Sequence, residues 1–209
     1  MNVAVIIYNG VELVDMNGPI DAFVKANYFI DNKYSVFTVA ESLDPVKSES
    51  EVVKLTPSYS FDNCPHVDII VIPGKLDEKS TSVPASETVV AWIKKMAEYD
   101  KIVMSVCVGF LTLANTGLLS GKKATTHYMT INQVHGNKQY RDIDLVKNVR
   151  YVEDGNFITT GGITSGIDGA LFLIEKLNGS NIAQQVADIM VYNRVAPLPP
   201  YTILPPYYS

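Results

Sequence analysis

The sequence predicts an α/β fold: one doubly wound, mostly parallel sheet with helices on both faces and a β-hairpin as decoration. Three observations predict it. Short apolar, β-branched runs of strand length recur at Val3–Tyr8, Tyr34–Ala40, Val67–Ile72 and Lys101–Val106. Segments with helix-start signals separate these runs. The runs are apolar throughout rather than alternating, as strands buried on both faces must be. With 209 residues, 47% of them apolar and 19% charged, the chain suits one well-buried core and has little of the composition of disorder. The expected division is one α/β domain over 1–196 and a Pro- and Tyr-rich tail over 197–209.

Taken in order, Val3–Tyr8 lacks the basic flank and small-residue cleavage site of a signal peptide and reads as a first strand. Asn17 is placed to cap a helix that begins near Pro19 and runs through Phe23 and Val24. After the strands 34–40 and 67–72, Pro84 opens a second helix through Val89, Trp92, Ile93 and Met96. The strand 101–106 then runs straight into a helical pattern. Asp154-Gly155 is a turn signal between Val149–Glu153 and Phe157–Thr160, an antiparallel hairpin. Two helices follow, about Ser165–Leu177 and Asn181–Tyr192, preceded by Gly161-Gly162 and Asn178-Gly179. The tail reads equally well as an extended arm on a partner subunit or as a loosely packed end.

Composition excludes several function classes. The net charge is −5 and the 17 Lys and Arg are dispersed, so there is no basic stripe for nucleic acid. No run approaches the roughly 18 apolar residues of a membrane span. Cys64 and Cys107 are expected to be free thiols in a reducing, cytoplasmic setting. His66, His127 and His135 lack metal-ligand spacing, and neither metal nor cofactor is expected.

The most informative stretch is Ser105-Val-Cys107-Val-Gly109, where the strand ends and the helical pattern begins. Small residues two positions either side of Cys107 fit a strained strand-to-helix elbow that presents a nucleophile. The amide groups and positive end of the following helix would favour thiolate over thiol. The competing reading is an inert core cysteine. Cys64, in Phe-Asp-Asn-Cys-Pro before a strand, reads as structural or incidental. Asp15 is open between a helix-capping carboxylate and a chemical role. Glu12 reads as solvent-facing, while Asp21 and Asp168 read as first-turn residues complementing helix dipoles.

Lys101–Thr126 contains Ser-Val-Cys-Val-Gly, Thr-Gly-Leu-Leu-Ser-Gly-Lys-Lys and the start of Ala-Thr-Thr-His. It resembles the cysteine segment of the ThiJ/PfpI superfamily. Val14-Asp-Met-Asn-Gly-Pro-Ile-Asp-Ala-Phe resembles its first-helix signature, Val71-Ile-Pro-Gly its oxyanion loop, and Thr160-Gly-Gly-Ile-Thr-Ser-Gly-Ile-Asp its late glycine loop. Together these cover nearly the whole chain. The resemblance implies a flavodoxin-like sheet, a homodimer and a small-molecule substrate. It is nearest to the isonitrile hydratase branch, whose members add water to R–N≡C to give an N-substituted formamide.

Carried over residue by residue, that branch implies Cys107 as nucleophile and Asp15, before Gly-Pro, as its acid–base partner. Gly74, Lys75 and Val108 would form the oxyanion side of the pocket, with the backbone N–H groups of Lys75 and Val108 as donors. His127 would line the site as a candidate base or an ordinary hydrogen-bonded histidine. Two positions depart from the branch: Val108 stands where it usually has Thr, and Lys75 where it has a second Gly. The alternatives are glyoxalase-like hydration of small carbonyls and a non-enzymatic ligand or oxidation sensor. No helix-turn-helix module is expected beside the domain.

Overall fold

The computed structural model describes residues 1–76, 82–97 and 101–194. In chain order the elements begin with β1 (Asn2–Ile6), α1 (Leu13–Ala26), β2 (Ser35–Ala40), β3 (Val46–Lys47), β4 (Lys54–Leu55) and β5 (Tyr59–Ser60). Then come β6 (Ile69–Ile72), α2 (Glu87–Met96), β7 (Ile102–Val106), α3 (Gly109–Asn115), β8 (Lys123–Ala124) and α4 (Tyr128–Val134). The remainder is β9 (Asp144–Leu145), β10 (Tyr151–Asp154), β11 (Phe157–Thr160), α5 (Ser165–Asn178) and α6 (Ser180–Ile189). The main sheet has seven strands in the order β10-β11-β7-β6-β1-β2-β5. All its neighbours pair in parallel except β10 and β11, the predicted hairpin. The hairpin loop has positive φ at Gly155 but not at Asn156, a II′-like pattern that suits Gly at the first central position.

The central strands are apolar because both their faces are covered. Ile69, Ile70, Val71 and Ile72 are all 0% exposed, and each such burial stabilises by roughly 1.5–3 kcal/mol. α1, α5 and α6 pack on one another, and α2 packs against α3. Met104 and Val106 of β7 face α5, where Gly169 and Gly166 leave room for them; alternate residues of the strand point to the opposite face. In α2 the stripe Val89, Trp92, Ile93 is buried, at the i, i+3, i+4 spacing of one helix face. Trp92 stacks on Phe61 with ring centroids 4.6 Å apart.

Several boundaries differ from the sequence expectation. α1 starts at Leu13, well before Asn17, because Glu12 is the N-cap and its Oε2 accepts from Asp15 N at 2.6 Å. Pro19 therefore lies inside the helix, and Asp21 sits beyond the first turn, paired with Lys25 at 3.2 Å. Ser86, rather than Pro84, caps α2 by accepting from Val89 N at 3.2 Å. α6 ends at Ile189, and Val191 turns the chain with φ +51°. Asp168 is in the first turn of α5 as expected, yet more than a dipole holds it: Oδ2 accepts from Arg150 Nε at 2.7 Å and Tyr192 Oη at 3.0 Å. The two-stranded β3–β4 and β8–β9 ribbons had no signal in the apolar pattern. The Pro/Tyr-rich tail at 197–209 lies outside the described residues.

Candidate active site

From β1 the chain runs outward to β2 and β5 and then crosses back to β6 on the other side of β1, so the switch point of the sheet lies between β1 and β6. Open α/β sheets bind ligands just beyond the carboxyl ends of the strands at that point. Tyr8 after β1, Pro73-Gly74 after β6, Cys107 after β7 and Gly162-Ile163 after β11 all lie at those ends.

Cys107 has φ +56°, a left-handed conformation that costs a non-glycine residue roughly 1–2 kcal/mol. The surroundings enforce it. Cys107 N donates to Thr160 O at 3.1 Å, and Cys107 O accepts from Thr126 Oγ1 at 2.9 Å. Gly109 closes the turn against β6: a Cβ there would stand 2.1 Å from Ile72 O and 2.6 Å from Pro73 O. The small residue in Cys-x-Gly is thus required by close backbone approach, as the elbow reading expects.

Asp15, in the first turn of α1, is completely buried, and its Oδ2 accepts from Gly74 N at 2.8 Å. Its Oδ1 is buried with no hydrogen-bond partner among the described residues. Burial pushes the carboxyl well above the usual carboxylate range; the neighbouring Glu12 adds to the rise, and the Gly74 N–H works against it. Cys107 interacts with Asp15 directly. Burial also pushes the Cys107 thiol up, and the charge of Asp15 pushes in the same direction. The N–H groups of Ile163 and Val108, both hydrogen-bonded to the sulfur, pull it down without prevailing. The expected bias toward thiolate is therefore reversed. A seven-residue helix and two amides do not offset the desolvation of a cysteine only 7% exposed beside Asp15. The charge of Asp15 raises Cys107 while the hydrogen bond with Cys107 lowers Asp15, so the two titrate as a unit.

The structure brings Asp15, Gly74, Val108 and Cys107 together. A Cβ on Gly74 would lie 2.6 Å from Asp15 Oδ2 and 2.9 Å from Val108 Cγ2. Lys75 is half-buried and forms an antiparallel bridge with Val11. His127 is the N-cap of α4 and packs on the glycine loop, where a Cβ on Gly162 would meet its Cδ2 at 2.6 Å. Burial lowers its pKa, so the ring is neutral at pH 7. Its contact is with the loop that carries the Ile163 amide rather than with the sulfur. His66 pairs with Asp68 at 3.1 Å near the start of β6, at the opposite end of the sheet. Cys64 is half-buried before the same strand, with its thiol pushed up to about 11 by burial.

Sequence reasoning missed three participants. Glu12 caps α1 and acts electrostatically on Asp15 and Cys107, and its i, i+3 spacing to Asp15 was the available signal. The Ile163 amide is a backbone group with no residue-type signature. Tyr8 reads as the last apolar residue of a strand, yet its hydroxyl is buried beside Asp15 and Cys107. Among the described residues no group of three or more His, Cys, Asp or Glu is arranged to hold a metal ion.

A DJ-1/PfpI family model matches residues 1–176 of the sequence. The chain belongs to the DJ-1/PfpI family. An isonitrile hydratase of Pseudomonas putida is 34% identical over 203 residues, spanning 96% of this chain and 81% of the relative. An HTH-type transcriptional regulator of Pseudomonas aeruginosa is 28% identical over 62% of this chain and 37% of its own length. Among solved structures, a ThiJ/PfpI family protein from Pseudomonas syringae superposes with TM-score 0.78 at 28% identity, covering 94% of this chain and 77% of the other. The DJ-1/PfpI fold thus accounts for the mixed α/β architecture and mostly parallel sheet, and the relatives include both an enzyme and a regulator.

Proposed function

We propose that this chain hydrates isocyanides to N-substituted formamides, with Cys107 as nucleophile and Asp15 as the group that carries the proton. The observation that supports it most is the pairing of a left-handed Cys107 with a fully buried Asp15 whose burial favours the protonated carboxyl. The likeness to an isonitrile hydratase over nearly the whole chain points the same way.

In this reading the pair reacts in its singly deprotonated form, thiolate beside carboxylic acid: Sγ bonds to the terminal isocyanide carbon while the Asp15 proton passes to that same carbon, giving a thioimidate, R–N=CH–S–Cys. Asp15, now a carboxylate, takes a proton from water as the water oxygen bonds to the carbon, and returns that proton to nitrogen. The tetrahedral adduct collapses: the C–S bond breaks, the hydroxyl proton goes to Asp15, and R–NH–CHO leaves. Sulfur and carboxyl end as they began. Backbone N–H groups of Val108 and Lys75 stabilise the charge that builds on the adduct, and Gly74 fixes Asp15. The resemblance further supports a homodimer, and we also propose a cytoplasmic setting and a single domain over 1–196.

The test is formamide formation from a simple alkyl or aryl isocyanide by the wild type and by Cys107→Ala. Formation by the wild type and loss in the variant is expected; absence in both removes this substrate. A second reading, a ligand sensor, draws on the regulator relative. Saturable binding of a small molecule without turnover would favour it.

A further inference from the structure

Tyr8 plays no part in the chemistry just described, yet it is buried to 6% exposure at the end of β1 with its hydroxyl in the site. Its hydroxyl donates to Pro73 O and is hydrogen-bonded to the Thr112 side chain. Thr112 is fully buried in α3, and its Oγ1 accepts from Ala85 N at 2.9 Å. Because the one Tyr8 hydroxyl proton goes to Pro73 O, the hydrogen bond between Thr112 and Tyr8 is donated by the Thr112 hydroxyl to Tyr8 Oη. Pro73 O and Gly74 N–H belong to one peptide unit, and that N–H donates to Asp15 Oδ2 at 2.8 Å.

We propose that Tyr8 is a positioning residue, the central link of a one-directional hydrogen-bond relay that runs Ala85 N–H, Thr112, Tyr8, the Pro73–Gly74 peptide, Asp15. Every donor in it points toward the carboxylate. The relay grips the peptide plane at its oxygen through Tyr8 and at its nitrogen through Asp15, so the plane cannot rotate without breaking both bonds. Hydrogen bonds aligned head to tail polarise one another, so donation into Pro73 O strengthens the donation from Gly74 N. Gly109 supports the same oxygen sterically, since its missing Cβ is what lets Pro73 O approach.

The ionisable groups facing Asp15 are Glu12 from its own N-cap, Cys107 from the elbow after β7, and Tyr8 from the end of β1. Burial, with the charges of Asp15 and Cys107, holds the Tyr8 phenol well above its usual range, so it remains a neutral donor throughout ordinary pH. Glu12 and burial favour the protonated carboxyl, while the relay is the arrangement that opposes them through Gly74 N–H. Its effect is to keep the Asp15 proton transferable in a site that would otherwise retain it.

The proposal rests on Asp15 as the proton carrier of the reaction, but its test needs no substrate. The carboxyl C=O band of Asp15, assigned by its loss in Asp15→Asn, is followed by infrared spectroscopy against pH. Tyr8→Phe removes the donor to Pro73 O, and the protonation midpoint is expected to rise by ~0.5–1 pH unit. Thr112→Val is expected to move it the same way by less, and Thr112→Ser, which keeps the hydroxyl, to restore the wild-type midpoint. A folded Tyr8→Phe with an unchanged or lowered midpoint overturns the relay. If Tyr8→Phe does not fold, the Thr112 pair decides, and equal midpoints for Val, Ser and wild type overturn it. A shifted midpoint in a protein that forms no formamide keeps the relay and removes the reaction; turnover with no shift does the reverse.

Discussion

Gly74→Ala is the sharpest perturbation of the proposed chemistry, because Gly74 is a glycine for room and not for conformation: its φ is not in the left-handed range. The added methyl would lie 2.6 Å from Asp15 Oδ2 and 2.9 Å from Val108 Cγ2, whereas ordinary contact begins at 3.4 Å. Relief on the carboxylate side therefore requires about 0.8 Å of displacement, the difference between 3.4 and 2.6 Å. Moving Oδ2 that far from Gly74 N stretches a 2.8 Å hydrogen bond to about 3.6 Å, beyond a useful one. Misplacement of a reacting group by ~1 Å costs on the order of 100-fold, so the expected loss in kcat/KM is roughly 10- to 100-fold, or about 1.4–2.7 kcal/mol of barrier.

The assay is steady-state formamide formation at pH 7, with urea unfolding to establish that the variant is folded. Gly74→Ala/Val108→Ala relieves only the contact with Val108, so it should not recover activity. A folded Gly74→Ala within two-fold of wild type would refute the reasoning. Recovery in the double variant would show that Val108, and not Asp15, absorbs the methyl.

Two further outcomes follow from the same geometry. Burial raises the folded pKa of Asp15 above the usual carboxylate value, so its contribution to stability is complete below about pH 4 and is lost as pH rises through the folded midpoint. Urea unfolding of Asp15→Asn should lack that decline, and Cys107 should alkylate faster with iodoacetamide near pH 8 once the carboxylate that helps raise it is gone. At position 107, φ +56° reverses the usual preference, so Cys107→Gly should be more stable to urea than Cys107→Ala by ~1 kcal/mol; the opposite order would deny strain at the elbow.

The sheet was legible because strands buried on both faces must be apolar throughout, and Ile69–Ile72 and Val3–Ile6 are. The elbow was legible from Ser105-x-Cys107-x-Gly109, since Gly109 is fixed by a backbone approach that no other residue permits. The start of α1 was misplaced because the true cap is Glu12, a residue outside the usual capping set, while the exposed Asn17 offered a false one. The direction in which the Cys107 thiol is shifted was misjudged for a different reason. A helix start can be read from sequence, whereas the depth of burial and the approach of Asp15 from a distant element cannot. Tyr8 and Ile163 escaped because one is an apolar strand residue with a polar tip and the other acts through its backbone.

The departure at Val108 bears on this balance. The groups that hydrogen-bond the sulfur are backbone N–H groups of Val108 and Ile163, which survive any side-chain change except proline. What a hydroxyl at 108 would add is polarity in a position now only 3% exposed and apolar. The pocket as built disfavours charge on both of its acids, so the singly deprotonated pair of the proposed first step is the minor, reactive form. S–C bond formation and transfer of the Asp15 proton to the same carbon go together, so a neutral isocyanide becomes a neutral thioimidate. The one negative charge of the pair moves from sulfur to carboxylate without a second being created. A substrate that brings its own anion would add one beside Asp15 and Cys107, at the desolvation cost that already raises both. Under the proposed reaction, uncharged substrates therefore suit this site better than anionic ones.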